Sequence, residues 1–255
     1  MTNPTHLQRR SSMLRTLRVL VALGAVAALG DVFAGEPKDD IKAAARSLAG
    51  KANYTWTSET EGLPFPMSPL EGKTEKDGFA IVSQDMNGDR LTAVLKGTNG
   101  AVKLAAGWKT AAELPEPGFG GGGPPDFSAM MGRRLLGAKV PANELVDLVD
   151  KVKEVKLVKG RLEGDLTEEG ALALMPFGRG RPGAGGPGAP KIKATLRVWL
   201  KDGELQRYEL ATDMTMQTPM GEMNMSPTTT VRVKEVGTTQ VEAPAEAKQK
   251  LAATK

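Results

Sequence analysis

Five thioethers fall within twelve residues, at Met214, Met216, Met220, Met223 and Met225. Soft sulfur ligands suit Cu(I), and a methionine run needs neither thiol nor imidazole to hold that ion. The same side chains are unbranched and adaptable, and they also line apolar grooves or fill irregular cores. Packing or contact with an apolar ligand is the reading adopted, with copper as the alternative. If Pro219-Met220-Gly221 lies near a hairpin tip, Met214 and Met216 share one face, as do Met223 and Met225, and the two pairs converge. Other chemistries have little to work with. There is no cysteine, and His6 is the only histidine. If the segment carrying His6 is removed, neither imidazole nor thiol remains, which excludes disulfides, thiol nucleophiles, Ser-His-Asp triads and ordinary zinc sites. Adjacent acids occur at Asp39-Asp40 and Glu168-Glu169, but at helix starts they serve the helix dipole, not acid/base catalysis. Asp85-Met-Asn87-Gly88-Asp89 lacks the full calcium-loop spacing and its terminal glutamate, and reads as a turn. The reading is therefore non-enzymatic, with no cofactor.

His6 lies in a segment with the three parts of a secretory signal. Arg9, Arg10, Arg15 and Arg18 form a positive start, Val19 to Leu29 an apolar run, and Val32-Phe33-Ala34 a small-residue cleavage site. The expected cut falls after Ala34, before Gly35, and leaves residues 35–255 as a single extracytoplasmic domain, periplasmic or secreted. The apolar run is shorter than the roughly 20 residues that span a bilayer, so no stable membrane anchor is expected. The whole chain carries 34 basic and 30 acidic residues; losing four arginines and one aspartate leaves 30 and 29. The basic balance thus belongs largely to the targeting segment, and no nucleic-acid partner is expected. About 221 remaining residues suffice for one core without disulfides.

Two stretches, 115–125 and 177–190, are dominated by Gly and Pro and read as flexible loops. Gly178-Arg179-Gly180-Arg181 within the second is read as solvated loop, not as an RNA-binding repeat. Between the loops the pattern is mostly strand. Asn53 to Ser58 puts Tyr54 and Trp56 on one face, with Trp56 expected in the core. Phe79 to Asp85, Leu91 to Lys96 and Ala101 to Ala106 follow, separated by Asn87-Gly88 and Asn99-Gly100 as hairpin turns. Val155 to Leu162 reads as one more strand. Helices are expected over Asp39 to Leu48, Phe127 to Leu136 and Pro141 to Val152. The last has an apolar stripe of Leu145, Leu148, Val149 and Val152, with Glu144, Asp147 and Lys151 on the other face. Thr167 is placed to cap a short helix running to Leu174.

In the last third, Ile192, Ala194, Leu196, Val198 and Leu200 alternate with polar residues, which marks a half-buried strand. Trp199 falls on its polar face. A two-residue turn at Asp202-Gly203 sets Leu196 opposite Glu209 and Val198 opposite Arg207. A three-residue loop sets Leu196 opposite Tyr208 and Ala194 opposite Leu210; it keeps one face apolar and is preferred. Thr229, Val231 and Val233 mark a further strand before the tail from Pro244 to Leu251.

The order of these elements, together with Val198-Trp199-Leu200-Lys201-Asp202-Gly203, Tyr208, and Val236-Gly237-Thr238-Thr239 through Val241 to Pro244-Ala245-Glu246-Ala247, resembles the lipoprotein-carrier-like fold of LolA-type carriers and mycobacterial LppX/LprG-type proteins. It is most similar to secreted members of planctomycete-like bacteria, over roughly Asp39 to Leu251. The resemblance implies an α+β fold in which a strongly curved antiparallel sheet, a half-barrel, has its concave face covered by helices. It also implies a hydrophobic hollow that receives acyl chains. The chain departs from that pattern in having no lipidated cysteine and long glycine-rich loops. The expected lining is Leu145, Leu148 and Val149 from the helix with Leu196, Val198, Tyr208 and Leu210 from the strands. The functional expectation is an exported binding protein for a lipid or other apolar ligand, with a cell-envelope scaffold of filled core as the alternative and no particular protein partner indicated.

Overall fold

The structure is a computed structural model and describes residues 36–75, 78–86, 88–115, 126–174, 191–218 and 221–253, with the backbone alone at 216–218. The expected export segment, most of the 115–125 loop, the whole 177–190 loop, Asn87 and the Pro219-Met220 tip lie outside the described residues.

The chain opens with α1, Pro37–Ala49, which has proline at its start, Asp39 and Asp40 in its first turn and Arg46 in its last. Each charge complements the helix dipole at its own end. Ile41, Ala44, Ala45 and Leu48 recur at helical spacing and are its buried residues. Strands β1 Asn53–Glu61, β2 Leu70–Glu75, β3 Phe79–Met86, β4 Asp89–Lys96, β5 Asn99–Leu104 and β6 Gly107–Thr110 form a continuous meander. Helices α2, Phe127–Leu136, and α3, Pro141–Val149, follow; then come β7 Lys156–Val158, β8 Arg161–Asp165 and α4 Glu168–Leu172. The chain finishes with β9 Lys191–Lys201, β10 Glu204–Thr218, β11 Gly221–Met225, β12 Thr228–Lys234 and α5 Ala245–Ala252.

All twelve strands join one curved, unclosed, antiparallel sheet in the order β6-β5-β4-β3-β2-β1-β12-β10-β9-β8-β7, with β11 paired to β10 beside that path. This is the expected α+β half-barrel. Its concave face collects Tyr54, Trp56, Val82, Ala93, Val102, Leu196, Val198 and Tyr208 into one core with residues of α1, α2 and α3. The cover is not confined to that face. Helix α5 packs Ala247 and Leu251 against Val94 and Ala101, which point the other way, with Phe79, Ile81 and Trp108 around them.

Local chemistry explains several departures from the expected elements. The expected Asn87-Gly88 turn falls between Met86 and Asp89, which pair as the ends of β3 and β4, with Gly88 at φ +94°. Asn99-Gly100 is not a turn: Lys96 pairs with Asn99, so the turn is Gly97-Thr98, with Gly97 at φ +60°. Glycine at the first central position suits a type II′ hairpin turn. Gly100 instead admits the helix, since a Cβ there would lie 2.7 Å from the Leu136 side chain. Val155 to Leu162 is a hairpin, not one strand, turning at Lys159-Gly160, where both φ angles are positive. Helix α3 stops at Val149 instead of Val152. Thr167 caps α4 as expected, accepting from the Gly170 N–H at 3.0 Å.

Both expected registers of the β9–β10 hairpin are overturned. The loop is the two-residue Asp202-Gly203, with φ +53° and +75° and Lys201 opposite Glu204. The pairing then slips by one between Leu205 and Arg207, leaving Gln206 as a bulge. Leu196 therefore faces Leu210 and Val198 faces Tyr208. One extra residue on one strand restores the apolar face that the tight turn would have lost. Deletion of Gln206 removes the bulge but preserves every pairing beyond it. Deletion of Ala211 turns Thr212 and Met214 outward. Urea unfolding is expected to show the first variant within about 1–2 kcal/mol of wild type and the second lacking a cooperative transition; comparable losses would contradict the register argument.

Candidate functional site

The concave face has two unequal halves. Helices α1 and α3 lie across one of them. Leu145, Leu148 and Val149 of α3 are buried against the same core as Leu196, Val198 and Tyr208. The structure thus brings six of the seven expected lining residues together as close-packed side chains. The seventh, Leu210, is half-buried at their margin. Two contacts tie the helix layer together: Lys38 Nζ donates to the Val152 carbonyl at 2.5 Å, and Lys42 pairs with Asp150 at 2.6 Å.

A polar group sits inside this apolar cover. Glu144 was expected on the outer face of its helix. Instead its Oε2 accepts a hydrogen bond from the Tyr208 hydroxyl. Position 144 borders the stripe that contains Leu145, Leu148 and Ala142, and a carboxylate stem is long enough to reach inward from there. Burial pushes the Glu144 carboxyl above its ordinary value, against the lowering effects of the Tyr208 bond and Lys139. Burial, with the adjacent Glu144, raises the Tyr208 hydroxyl well above its usual range. Tyr54 is pushed up to about 12, chiefly by burial. Its hydroxyl lies near Thr74 and the Ala142 backbone but has no hydrogen-bond partner of good geometry. Thr74 Oγ1 accepts from Trp56 Nε1 at 3.2 Å, and Trp56 lies flat over Gly72, where a Cβ would come within 2.0 Å of the ring.

The other half is more open among the described residues, with α2 packed over its β4–β5 end. Along β1 the inward positions after Trp56 are Ser58 and Thr60, and both are only half-buried. Leu70, Leu91, Met214, Met225 and Thr229 on neighbouring strands are half-buried too. Leu70, Leu91, Leu210 and Met214 touch the core from its edge. The rim carries large apolar side chains in contact with solvent: Phe65 is 78% exposed, Phe127 50%, Met130 42% and Met223 37%. Phe65 belongs to the connection after β1, which runs beside α2 where Arg134 Nη1 reaches Met67 Sδ at 3.1 Å. Single exposed apolar residues are ordinary on a protein surface; contiguous apolar patches are what mark interaction sites.

The methionines belong to this half. Met214 pairs directly with Met225, and Met216 with Met223, so the two strands bring four of the five expected positions onto one face. Met214 packs against the core cluster, and Met220 lies outside the described residues. Among the described residues, no three of His, Cys, Asp and Glu gather closely enough to hold a metal ion. Trp199 stands on the convex face between Arg207, 4.0 Å from its ring centre, and Arg161, at 5.8 Å. A separate groove of about 160 Å³ lies where Ser47, Lys51, Glu204, Gln206 and Lys234 meet. It is charged, bridged by Lys51 and Glu204 at 2.7 Å, and below the roughly 300 Å³ of an ordinary ligand pocket.

Sequence reasoning missed the open half. Ser58 and Thr60 continue the period-2 pattern set by Tyr54 and Trp56, and that pattern was the available signal. Nothing local marked Gln84 as an inward residue.

The buried carboxyl gives a pH dependence of defined sign. Its folded-state affinity for protons exceeds its unfolded one, so the native state holds more protons above the ordinary glutamate value of 4.5. Stability from this group is complete below about pH 4.5 and is lost as pH rises through the raised folded value. Glu144→Gln keeps an acceptor for Tyr208 and removes the titration. Its urea midpoint, relative to wild type, is expected to rise between pH 4.5 and 8; a constant difference across that range would refute the buried assignment.

No protein-family model matches the chain, and no curated protein matches it. Among solved structures, it is similar to the lipoprotein LppX of Mycobacterium tuberculosis, with 11% identity, 82% of this chain and 98% of that one covered, and a TM-score of 0.43. LprF of Mycobacterium bovis gives 11% identity, 84% and 100% coverage and a TM-score of 0.40. A LolA superfamily protein of Nitrosomonas europaea gives 8%, 82% and 96% coverage, and 0.34.

Proposed function

We propose that this is an exported, non-catalytic binding protein that holds a lipid or another apolar ligand in the hollow of its half-barrel. The carrying observation is the open half of the concave face, where Leu70, Leu91, Leu210 and Met214 are half-buried beneath a rim of exposed Phe65, Phe127 and Met130. Covering such a face with an apolar ligand is favourable by about 25 cal/mol per Å² removed from water. Leu145, Leu148, Val149, Leu196, Val198 and Tyr208 form the floor and end wall under α1 and α3, and the bound chain lies beyond them. Among the described residues no helix is long and apolar enough to cross a membrane, and extracytoplasmic residence is part of the proposal through the segment ending at Ala34.

Native mass spectrometry of the purified protein, with analysis of its organic extract, is expected to reveal a co-purifying apolar molecule. Leu210→Glu places a charge in the open half and should weaken binding of a fluorescent fatty acid by about tenfold or more, while the protein stays folded. A second reading, an envelope scaffold whose hollow is filled by its own side chains, draws on the close packing of the covered half. Absence of any extracted lipid, together with no binding of the fluorescent fatty acid, would favour that scaffold and defeat the ligand reading.

A further inference from the structure

The row Ser58, Leu70, Gln84, Leu91 crosses β1 to β4 on the concave face, fixed by the pairings of Ser58 with Leu70, Leu70 with Gln84 and Gln84 with Leu91. Gln84 is a full-length polar side chain set between two leucines, and it is only 3% exposed. Its Nε2 donates to the Ser68 carbonyl at 2.6 Å. That bond decides which way the amide lies, because the flipped form would set two acceptors against each other. Its Oε1 is buried and has no hydrogen-bond partner. A buried acceptor left unpaired is costly, and native proteins rarely leave one without a reason.

The surroundings limit what would pair with it. In β1, β2, β3, β10, β11 and β12 the concave positions are Tyr54, Trp56, Ser58, Thr60, Leu70, Gly72, Thr74, Ala80, Val82, Gln84, then Tyr208, Leu210, Thr212, Met214 and the β11–β12 residues Met223, Met225, Thr229, Val231 and Val233. None of these carries a charge; at their border stand Asp89 of β4, at the concave position paired with Met86, and Arg134 of α2, beside Met67. An anionic head at Gln84 would be desolvated among these neutral positions and would set acceptor against acceptor. An uncharged donor would be satisfied by the Gln84 oxygen. Thr60 and Thr229, whose hydroxyls lie 3.0 Å apart one row further along, supply further neutral polar groups.

We propose that Gln84 is the polar contact for the ligand of the open half, accepting a hydrogen bond from an uncharged lipid head that bears a hydroxyl or amide N–H, as a monoacylglycerol does. This rests on the apolar-ligand reading above and assigns the class of head and the residue that selects it.

The test uses the purified full chain and displacement of a fluorescent fatty-acid methyl ester, an uncharged probe, by two lipids of equal tail. Monopalmitoylglycerol has donor hydroxyls; methyl palmitate has none. Wild type is expected to bind the first about tenfold more tightly, the scale of one buried hydrogen bond. Gln84→Met is near-isosteric, and should bring that ratio to about one by weakening monopalmitoylglycerol while leaving methyl palmitate unchanged. Equal affinity of wild type for both lipids overturns the proposal, and needs no variant. Equal weakening of both by Gln84→Met also overturns it, because that is the mark of a structural role. Binding of neither lipid instead defeats the apolar-ligand reading itself, and this inference with it.

Discussion

An antiparallel strand gives its two faces alternate residues, so a single unpaired residue decides what every later position presents. In β10 that residue is Gln206. Ahead of it, Leu205 faces inward opposite Leu200; beyond it, Tyr208 and Leu210 do so opposite Val198 and Leu196. Without the slip, Arg207 and Glu209 would point into the hollow. With it, Arg207 stays outside and lies over Trp199, while Tyr208 reaches Glu144 beneath the helix layer. The same offset carries on to Met214 and its partner Met225, so both the closed and the open halves of the concave face inherit their chemistry from this bulge.

The two halves differ in what closes them. Three helices cannot cover the concave face of so wide a sheet. Helices α1 and α3 serve the end near Tyr54 and Tyr208, where burial is nearly complete. Beyond Ser58 and Leu210 most concave positions are half-buried, with Gln84 and Thr212 as buried exceptions, and the composition changes with the cover. Large apolar and aromatic residues give way to leucine, methionine, serine and threonine. The closed end accounts for the core's cohesion, and the open end is where a second molecule has room to contribute.

Much of the fold was legible because strand alternation and helical spacing are local signals. The helix at Phe127–Leu136, the capping threonine Thr167 and the pairing of β3 with β4 were readable for that reason. Where the reading failed, the deciding force was tertiary. Asn99-Gly100 has turn chemistry, yet its glycine serves the approach of Leu136. Glu144 has a polar residue's place on α3, yet a tyrosine 64 positions away draws it inward. The lining residues were recognisable as apolar, but whether they face a ligand or one another depends on how far the helices reach across the sheet. Gln84 could not be singled out at all, since its inward direction follows from the register of β2 against β3.

Helix α5 binds the convex side of β3 to β6 through Ala247 and Leu251 against Val94 and Ala101, while α1 and α3 bind the concave side of the opposite end. The β3 to β6 end is thus braced from both sides, since α2 packs on the concave side of β4 and β5. The strands bordering the open half keep an apolar anchor whether or not the hollow is occupied, and loading or emptying it leaves their backbone ladder supported from behind. The last turn of the chain acts as a buttress for an unfilled vessel.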